Sequence, residues 1–395
     1  MSLLADLIER IDADRLSQTA LDMVRIPSPT GRTREAANYF AESYRALGCT
    51  VVMLDEIPHA PEGYDAPSVA VRWHGARRGP TLQFDGHTDT IPMAHAPAEV
   101  RNGVLSGRGA TDMKGGLAAV MEMVRVLREA DVRLLGDLLL TTHGMHEAPG
   151  GHGEGLEALI AAGHHGDAAV VVEGPCDELA VAGRGMAIFT VTITGPGKSA
   201  HENDTPHDTP HPIMAAGELL VALERERLRL RKVKRPYVGC ETLFVGQVHS
   251  GDFYNRFPTV CRLEGTRRYF ADHAFGDVEA EFRAVLDEVG RRTGTTMSVE
   301  FDRIRDGFEI DEHERIAEAF KRGYRHVMGR DLPLGAFTSV ADVSLLVQKA
   351  RIPALFCGNR GIGAHADREE VAIAELVRQT SLLLGIVVHF YGLED

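Results

Sequence analysis

The sequence predicts an α/β protein with a smaller α+β domain inserted into it, and three observations carry that prediction. The chain has 395 residues and 44% apolar content, enough for two domains. Short apolar strand-like runs alternate with helical patterns up to about residue 182 and again after about Arg305. Between them, from Gly183, the strands instead alternate apolar and polar residues, as half-exposed strands do. The boundaries that follow are 1–182 with 305–395 for the larger domain and 183–304 for the insert.

Taken in order, apolar residues recur at helical spacing from Ile8, and TGRTREAANYFAESYRALG gives a helix between Thr33 as N-cap and Gly48 as stop. Five strand runs follow, CTVVML, SVAVRW, TLQFDG, DLLLTT and AAVVVE, with a helix over Gly115 to Ala130 among them. Such alternation indicates a sheet covered on both faces. In the insert, GRGMAIFTVTITG reads as a strand and Pro212 to Leu228 as a helix. ETLFVGQVHS and TVCRLEGTRRYF read as strands, Phe275 to Arg292 as a helix and TMSVEFDRI as a last strand. After about Arg305 come a helix, the buried-looking run IPALFCG and a final amphipathic helix from Glu369 onward. No internal repeat or low-complexity tract interrupts the pattern.

Charge narrows the function classes. Lys plus Arg total 43 against 57 Asp plus Glu, a formal net charge of -14, which argues against a broad nucleic-acid footprint. The basic exception, ERERLRLRKVKR, reads as a solvated helix end. Cys49, Cys176, Cys240, Cys261 and Cys357 are odd in number and far apart, with no C-x-x-C spacing, which suggests a reducing compartment. MSLLADLIERIDADR lacks the basic start and long apolar centre of a secretory signal, and no apolar run is expected to approach the ~18 residues of a membrane span. The expectation is a cytoplasmic protein that binds neither nucleic acid nor membrane.

Chemistry-bearing residues gather at strand ends. In LQFDGHTDTIP a strand runs into Gly86, and His87 and Asp89, two apart, point to one side; the pair could hold a metal, although taken alone it reads more readily as a surface histidine beside an aspartate. In GRGATDMKGG, Asp112 is either a ligand in a tight turn or the N-cap of the next helix. HGMHEAPGG sets His146 before Glu147, where Pro149, Gly150 and Gly151 forbid the helix of an H-E-x-x-H zinc site. Glu173 closes a buried strand run in VVEGP, the end of an α/β strand where sites form, and His365 lies in the glycine-rich GIGAHADREE. His143 and His152 read as loop histidines outside the site, and Pro206 and Pro210 keep His207 and His211 from sharing a helical face. GNRGIG, from Gly358, offers backbone N–H groups to a carboxylate or simply turns the chain.

In their order and flanking residues, GHTDTIP, GATDMKGG, the acidic element at Glu147, VVEGP, GKSAH, FYNRFP, EGTRRYF and GAHADREE resemble one zinc-dependent family. It includes acetylornithine deacetylase, succinyl-diaminopimelate desuccinylase, aminoacylase and the glutamate carboxypeptidases. The resemblance runs from about Asp22 to about Val371. It implies a zinc-aminopeptidase-like catalytic domain with a mixed central sheet flanked by helices, and a ferredoxin-like inserted dimerisation domain. It also implies two divalent metal ions, zinc or else cobalt or manganese, with His87, Asp112 and Glu173 on one and Asp112, Glu147 and His365 on the other. Asp112 then bridges them, and Asp89 receives the ring N–H of His87.

His146 stands where the family has a glutamate that acts as general base. It is therefore read as a substitute proton shuttle, as a substrate contact, or as the mark of a chain without hydrolytic activity. His201 matches a histidine of the small domain that, in dimeric members, enters the partner's active site and donates to the oxyanion. Asn255 and Arg268 match substrate-facing positions, with Arg267 as the alternative register for a bidentate carboxylate contact. The implied activity is hydrolysis of the amide C–N bond of a small N-acyl amino acid or peptide-like substrate, one carrying a carboxylate and an amide, by metal-activated water in a homodimer. The alternatives are hydrolysis of a non-peptide C–N bond, by carbamoyl cleavage or deamination, and a non-catalytic relative that keeps the fold.

Overall fold

The structure, a computed structural model, describes residues 2–147, 150–174 and 176–393; Ala148 and Pro149 of HGMHEAPGG and Pro175 of VVEGP, with the Pro149 argument above, lie outside the described residues. The chain forms two compact units. One comprises Met1–Val181, Glu309–Phe337 and Ala341–Asp395, the other Ala182–Phe308 with Thr338–Val340.

The larger unit is built on a six-stranded mixed sheet in the order Thr50–Leu54, Ser68–Trp73, Leu138–His143, Leu82–His87, Ala168–Val171, Ala354–Phe356. The first two pairings are antiparallel and the other three parallel. Leu82–His87 and Leu138–His143 are buried at every position, as strands of a sheet covered on both faces must be. Because four strands run parallel, His87, His143, Glu173 and Gly358 all lie at or just beyond carboxyl ends along one edge of the sheet.

The glycines of DMKGG have a steric cause. The helix Lys114–Glu129 starts against two backbone carbonyls: a Cβ on Gly115 would lie 2.2 Å from the oxygen of Ala110, and one on Gly116 would lie 2.3 Å from that of Val172. The close approach seats the turn bearing Asp112 beside the strand end bearing Glu173.

Three expectations are corrected. The last helix is Ile373–Tyr391 and does not begin at Glu369, because Glu370–Ala372 pairs as a short strand with Val104–Ser106. That 19-residue helix has a window of mean hydropathy 1.4, long and apolar enough to span a membrane, contrary to the expectation that no run approaches that length. Its apolarity has a packing cause, since 67% of that window is buried and the helix packs on Arg315–Met328 and Lys114–Glu129. Thr33 does precede the helix Arg34–Ala46, but its hydroxyl makes no capping bond.

The smaller unit runs strand Gly185–Thr194, helix Pro212–Leu230, strands Thr242–Ser250 and Val260–Tyr269, helix Phe275–Thr293 and strand Thr296–Arg305. Its sheet is wholly antiparallel in the order Thr242–Ser250, Val260–Tyr269, Gly185–Thr194, Thr296–Arg305, the β-α-β-β-α-β ferredoxin-like arrangement. Gly185–Thr194 buries alternate residues, and Phe189, Val191 and Ile193 meet Leu219, Leu223, Phe282 and Leu286 from the two helices in one core. The basic run ends a helix as expected, with Glu224–Arg227 and Glu226–Arg229 paired at 2.6 and 2.5 Å on its exposed surface. His211 is the N-cap of the Pro212–Leu230 helix, its Nδ1 accepting from the N–H of Ile213 at 3.2 Å.

Replacing Gly116 by Val should therefore push the Lys114–Glu129 helix off Val172 and cost about 1–3 kcal/mol. Urea denaturation with chelator present measures the loss free of any metal effect. A midpoint equal to that of the parent contradicts the steric account.

Candidate metal centre

Five side chains from distant parts of the larger unit converge at the sheet edge. Asp112 lies between two histidines, with Oδ1 3.2 Å from Nε2 of His87 and Oδ2 3.3 Å from Nε2 of His365. Nε2 of His87 is also 3.7 Å from Oε2 of Glu173, and Nε2 of His365 is 2.9 Å from Oε1 of Glu147. Two ligands each ~2.0–2.2 Å from one zinc ion stand roughly 3–4 Å apart, so these spacings fit two ions that share Asp112. The donor chemistry fits as well, being imidazole nitrogen and carboxylate oxygen throughout. Oε2 of Glu173 is buried and has no hydrogen-bond partner, which a cation would supply. With both imidazoles neutral, the five groups carry three negative charges, fewer than two divalent cations would bring, so an occupied centre would retain positive charge for an anionic or polar ligand.

The shell behind these groups explains their aim. Asp89 is fully buried, and one of its carboxylate oxygens accepts from the backbone N–H of His146 at 3.0 Å and of Glu147 at 2.9 Å and from the Thr30 hydroxyl at 2.9 Å. The family resemblance implies that this carboxylate receives the His87 ring N–H. In the structure Nδ1 of His87 lies nearer the Asp89 backbone carbonyl, at 2.9 Å, than the carboxylate, at 3.4 Å. Asp89 thus orients both the His87 ring and the loop that carries Glu147. Glu369 does the same for Asp112: it accepts from the backbone N–H groups of Gly109, Thr111 and Asp112 at 3.0, 2.9 and 3.0 Å and pairs with Arg108. Gly358 packs on Glu173, where an added Cβ would lie 2.5 Å from its carbonyl carbon.

His146 is held by a residue that sequence reasoning did not single out. Its Nδ1 is 2.7 Å from Oδ2 of the fully buried Asp342, its ring stacks on that of His87 at 4.1 Å with an interplanar angle of 3°, and its Nε2 is 4.0 Å from Oε2 of Glu173. The reading of His143 as a loop histidine is corrected. It ends the Leu138–His143 strand, is fully buried, and its Nε2 lies 3.3 Å from Asp342 and 3.6 Å from Asp85. Burial disfavours its charge, but Asp342 and Asp85 outweigh that and push its pKa up to about 10. His152 stands in the loop before the helix Glu154–Ala161, as expected.

In the smaller unit, Nε2 of His201 lies 3.0 Å from Nδ2 of Asn255, which joins two separate motifs. The alternation of Val260–Tyr269 separates the two arginine registers. Arg267 is buried against Glu241 at 2.5 Å, whereas Arg268 lies on the other face with Nη1 donating to the Thr338 carbonyl at 3.2 Å.

Without cations, protons must balance the carboxylates. Burial opposes charge on His87, yet Asp112 and Asp89 hold its pKa well above the usual histidine value. Asp112 and Glu147 raise that of His365 to about 10. Burial lifts Glu173 to about 7, with Asp112 adding to it and His146 and His87 opposing. Raised pKa values mean bound protons at pH 7, and metal ligation must displace them, so metal affinity should climb as pH rises toward about 10. Titrating zinc into chelator-treated protein at pH 7, in buffers of different ionisation enthalpy, should reveal proton release. Binding that releases none contradicts this account.

Comparison with known proteins agrees with the geometry. The profile of Peptidase family M20/M25/M40 matches residues 84–389. The chain is 25% identical to an N-formyl-4-amino-5-aminomethyl-2-methylpyrimidine deformylase of Halalkalibacterium halodurans, over 98% of this chain and 97% of the relative. It is 27% identical to a succinyl-diaminopimelate desuccinylase of Rhodospirillum centenum, over 94% and 96%. Among solved structures it shares the fold of an aminopeptidase from Bacillus cereus, with TM-score 0.82 at 20% identity over 96% of this chain and 99% of that one. It also shares the fold of a dinuclear metal-binding M20 peptidase from Bacillus subtilis, with TM-score 0.71 at 16% identity over 96% and 98%. The match spans most of the chain and every residue of the five-membered cluster, so the protein belongs to Peptidase family M20/M25/M40 and is a metal-binding hydrolase of that family.

Proposed function

We propose that the protein hydrolyses the amide C–N bond of a small N-acyl amino acid or peptide-like substrate. Two divalent ions, zinc or in its place cobalt or manganese, are held by His87, Asp112, Glu147, Glu173 and His365. The observation that carries this reading is the division of Asp112, one oxygen toward each histidine. Bound there, such ions polarise a carbonyl and activate water as the nucleophile.

The chain's own groups supply the rest. Asp342 takes the Nδ1 side of His146, which leaves Nε2 of the neutral ring free to accept a proton. The parallel stacking on His87 supports a proton acceptor over an added ligand. The two rings lie in parallel planes, so their nitrogen lone pairs would not converge on a single ion held by His87. From that position His146 takes the proton of the attacking water and returns it to the leaving nitrogen.

His201 and Asn255 are assigned to the oxyanion and the substrate, Arg268 to the substrate carboxylate, and the Gly358 loop to the same group through backbone N–H. The 183–304 region is assigned to homodimer formation. Its edge strand Thr242–Ser250 exposes Phe244 and Val248, and its helix Pro212–Leu230 exposes Met214 and Val221, an apolar surface that a second copy would cover. A cytoplasmic location accords with five free cysteines, and the acidic balance accords with no nucleic-acid or membrane partner.

A second reading, cleavage of a formamide or other non-peptide C–N bond, is favoured by the full-length similarity to a deformylase. One panel of N-formyl, N-acetyl, N-succinyl and N-carbamoyl amino acids and dipeptides separates the two, tested with zinc-, cobalt- and manganese-loaded protein. Turnover of acyl amino acids or peptides is expected, with kcat lowered roughly 10²–10⁴-fold in His146→Ala and KM little changed. Parental kcat in that variant removes His146 from the reaction, and no turnover on any substrate sinks the hydrolase reading. Light scattering should give twice the chain mass for the parent and a single chain mass for Phe244→Asp; one mass for both contradicts the dimer.

A further inference from the structure

Behind His146, Asp342 continues into a buried chain of charged groups whose farther members, His143 and Asp85, the proposed reaction leaves unused. Asp85 from the Leu82–His87 strand, His143 from the end of the neighbouring strand, and Asp342 before the short helix Val343–Leu345 are all fully buried. Nε2 of His143 lies 3.6 Å from Asp85 and 3.3 Å from Asp342, and the same Oδ2 of Asp342 lies 2.7 Å from Nδ1 of His146. The Thr141 hydroxyl donates to Oδ1 of Asp85 at 2.5 Å, which fixes the far end.

Two carboxylates are costly to bury without partners. Here each faces His143, and Asp342 also faces His146, so the four groups form one line from the sheet interior to the metal centre. The line has a consequence for His146. A neutral imidazole carries its proton on one nitrogen, and the partner of the other side decides which. Asp342 is the acceptor that holds the proton on the Nδ1 side; a ring protonated instead at Nε2 would present the centre with a donor. The stacked His87 ring limits tilt of His146, so the remaining freedom is the tautomer.

We propose that Asp342 is the positioning residue of this hydrolase, with His143, which it shares with Asp85, as its counter-charge: it holds the proton of His146 on Nδ1 and so keeps Nε2 open as the acceptor. A histidine–carboxylate dyad thereby does the work of a single general-base carboxylate. This inference rests on the acceptor role given to His146 above.

The test is a comparison in two backgrounds, joined to a spectroscopic readout. In the parent, Asp342→Asn should lower kcat about 10²-fold or more while KM and metal content hold, as expected for an acceptor turned the wrong way. In a His146→Glu background, which has no imidazole to orient, the same substitution should change kcat less than about threefold. Equal losses in both backgrounds mean a merely structural carboxylate and overturn the proposal. If Asp342→Asn proves too unstable to purify, Asp342→Ser gives the same comparison.

Histidine-selective ¹⁵N spectra of the zinc-loaded protein, assigned through His146→Gln, should show His146 protonated at Nδ1 in the parent and at Nε2 in Asp342→Asn. A tautomer that survives the substitution also overturns the proposal. A parent that turns over no substrate but shows the tautomer switch would sink the acceptor role while leaving the orienting contact in place, so the two failures are distinguishable.

Discussion

The structure depends on one carboxylate with its two oxygens committed in different directions. Asp112 reaches His87 with one and His365 with the other, and those histidines stand on a sheet strand and on a loop far apart in the chain. A bridging carboxylate must be placed to within a few tenths of an ångström, because a shift toward one imidazole is a shift away from the other. The surrounding features follow from that demand. Glu369 gathers three consecutive-turn N–H groups onto its carboxylate, and Gly115 and Gly116 let the following helix close on the carbonyls of Ala110 and Val172. The turn is held from below by backbone contact and from beside by hydrogen bonds.

The same economy governs the electrostatics. Within the larger unit the buried Asp85, Asp89, Glu147 and Asp342 and the half-buried Asp112 and Glu173 are brought to one end of the sheet, a density of carboxylates that no fold tolerates unbalanced. Some of it is answered by backbone N–H groups, as at Asp89, and some by His143, whose position between Asp85 and Asp342 keeps it protonated at neutral pH. The remainder faces inward at Asp112, Glu147 and Glu173. Divalent cations bound there would stabilise the native arrangement to the extent that they bind it more tightly than the unfolded chain, so ligation and folding would draw on the same free energy.

Much of this was legible from local pattern. The five central runs, the helix after Asp112 and the alternating strands of the insert each announce themselves within a dozen residues, by burial period and by glycine placement. The five clustered side chains stood at strand ends or in glycine-flanked turns, but local pattern left each with a structural alternative, and it was the resemblance carried by the order of their motifs that joined them into one set. Asp342 was not legible. It sits 196 residues from His146, in FTSVADVSLL, with no histidine or glycine beside it to mark it. His143 was misread because a histidine at the end of an apolar run looks the same whether the strand stops before it or includes it. Only pairing with His87 across the parallel ladder places it inside. Glu369 was absorbed into an expected helix, because its partners are backbone N–H groups some 257 to 260 residues away and backbone leaves no mark in a sequence.

The exchange of a carboxylate for His146 explains why those missed residues matter together. A carboxylate offers equivalent oxygens and needs no partner to make it an acceptor; an imidazole offers two unlike nitrogens, and one must be occupied before the other is useful. A histidine at this position therefore requires a second group behind it, that group must be buried to hold its direction, and a buried carboxylate in turn requires a counter-charge. Asp342 meets the first need and His143 the second, with Asp85 completing the pair. The residues beyond His146 thus supply what an imidazole at this sheet edge calls for and a carboxylate would not: a partner for one nitrogen and a counter-charge for that partner.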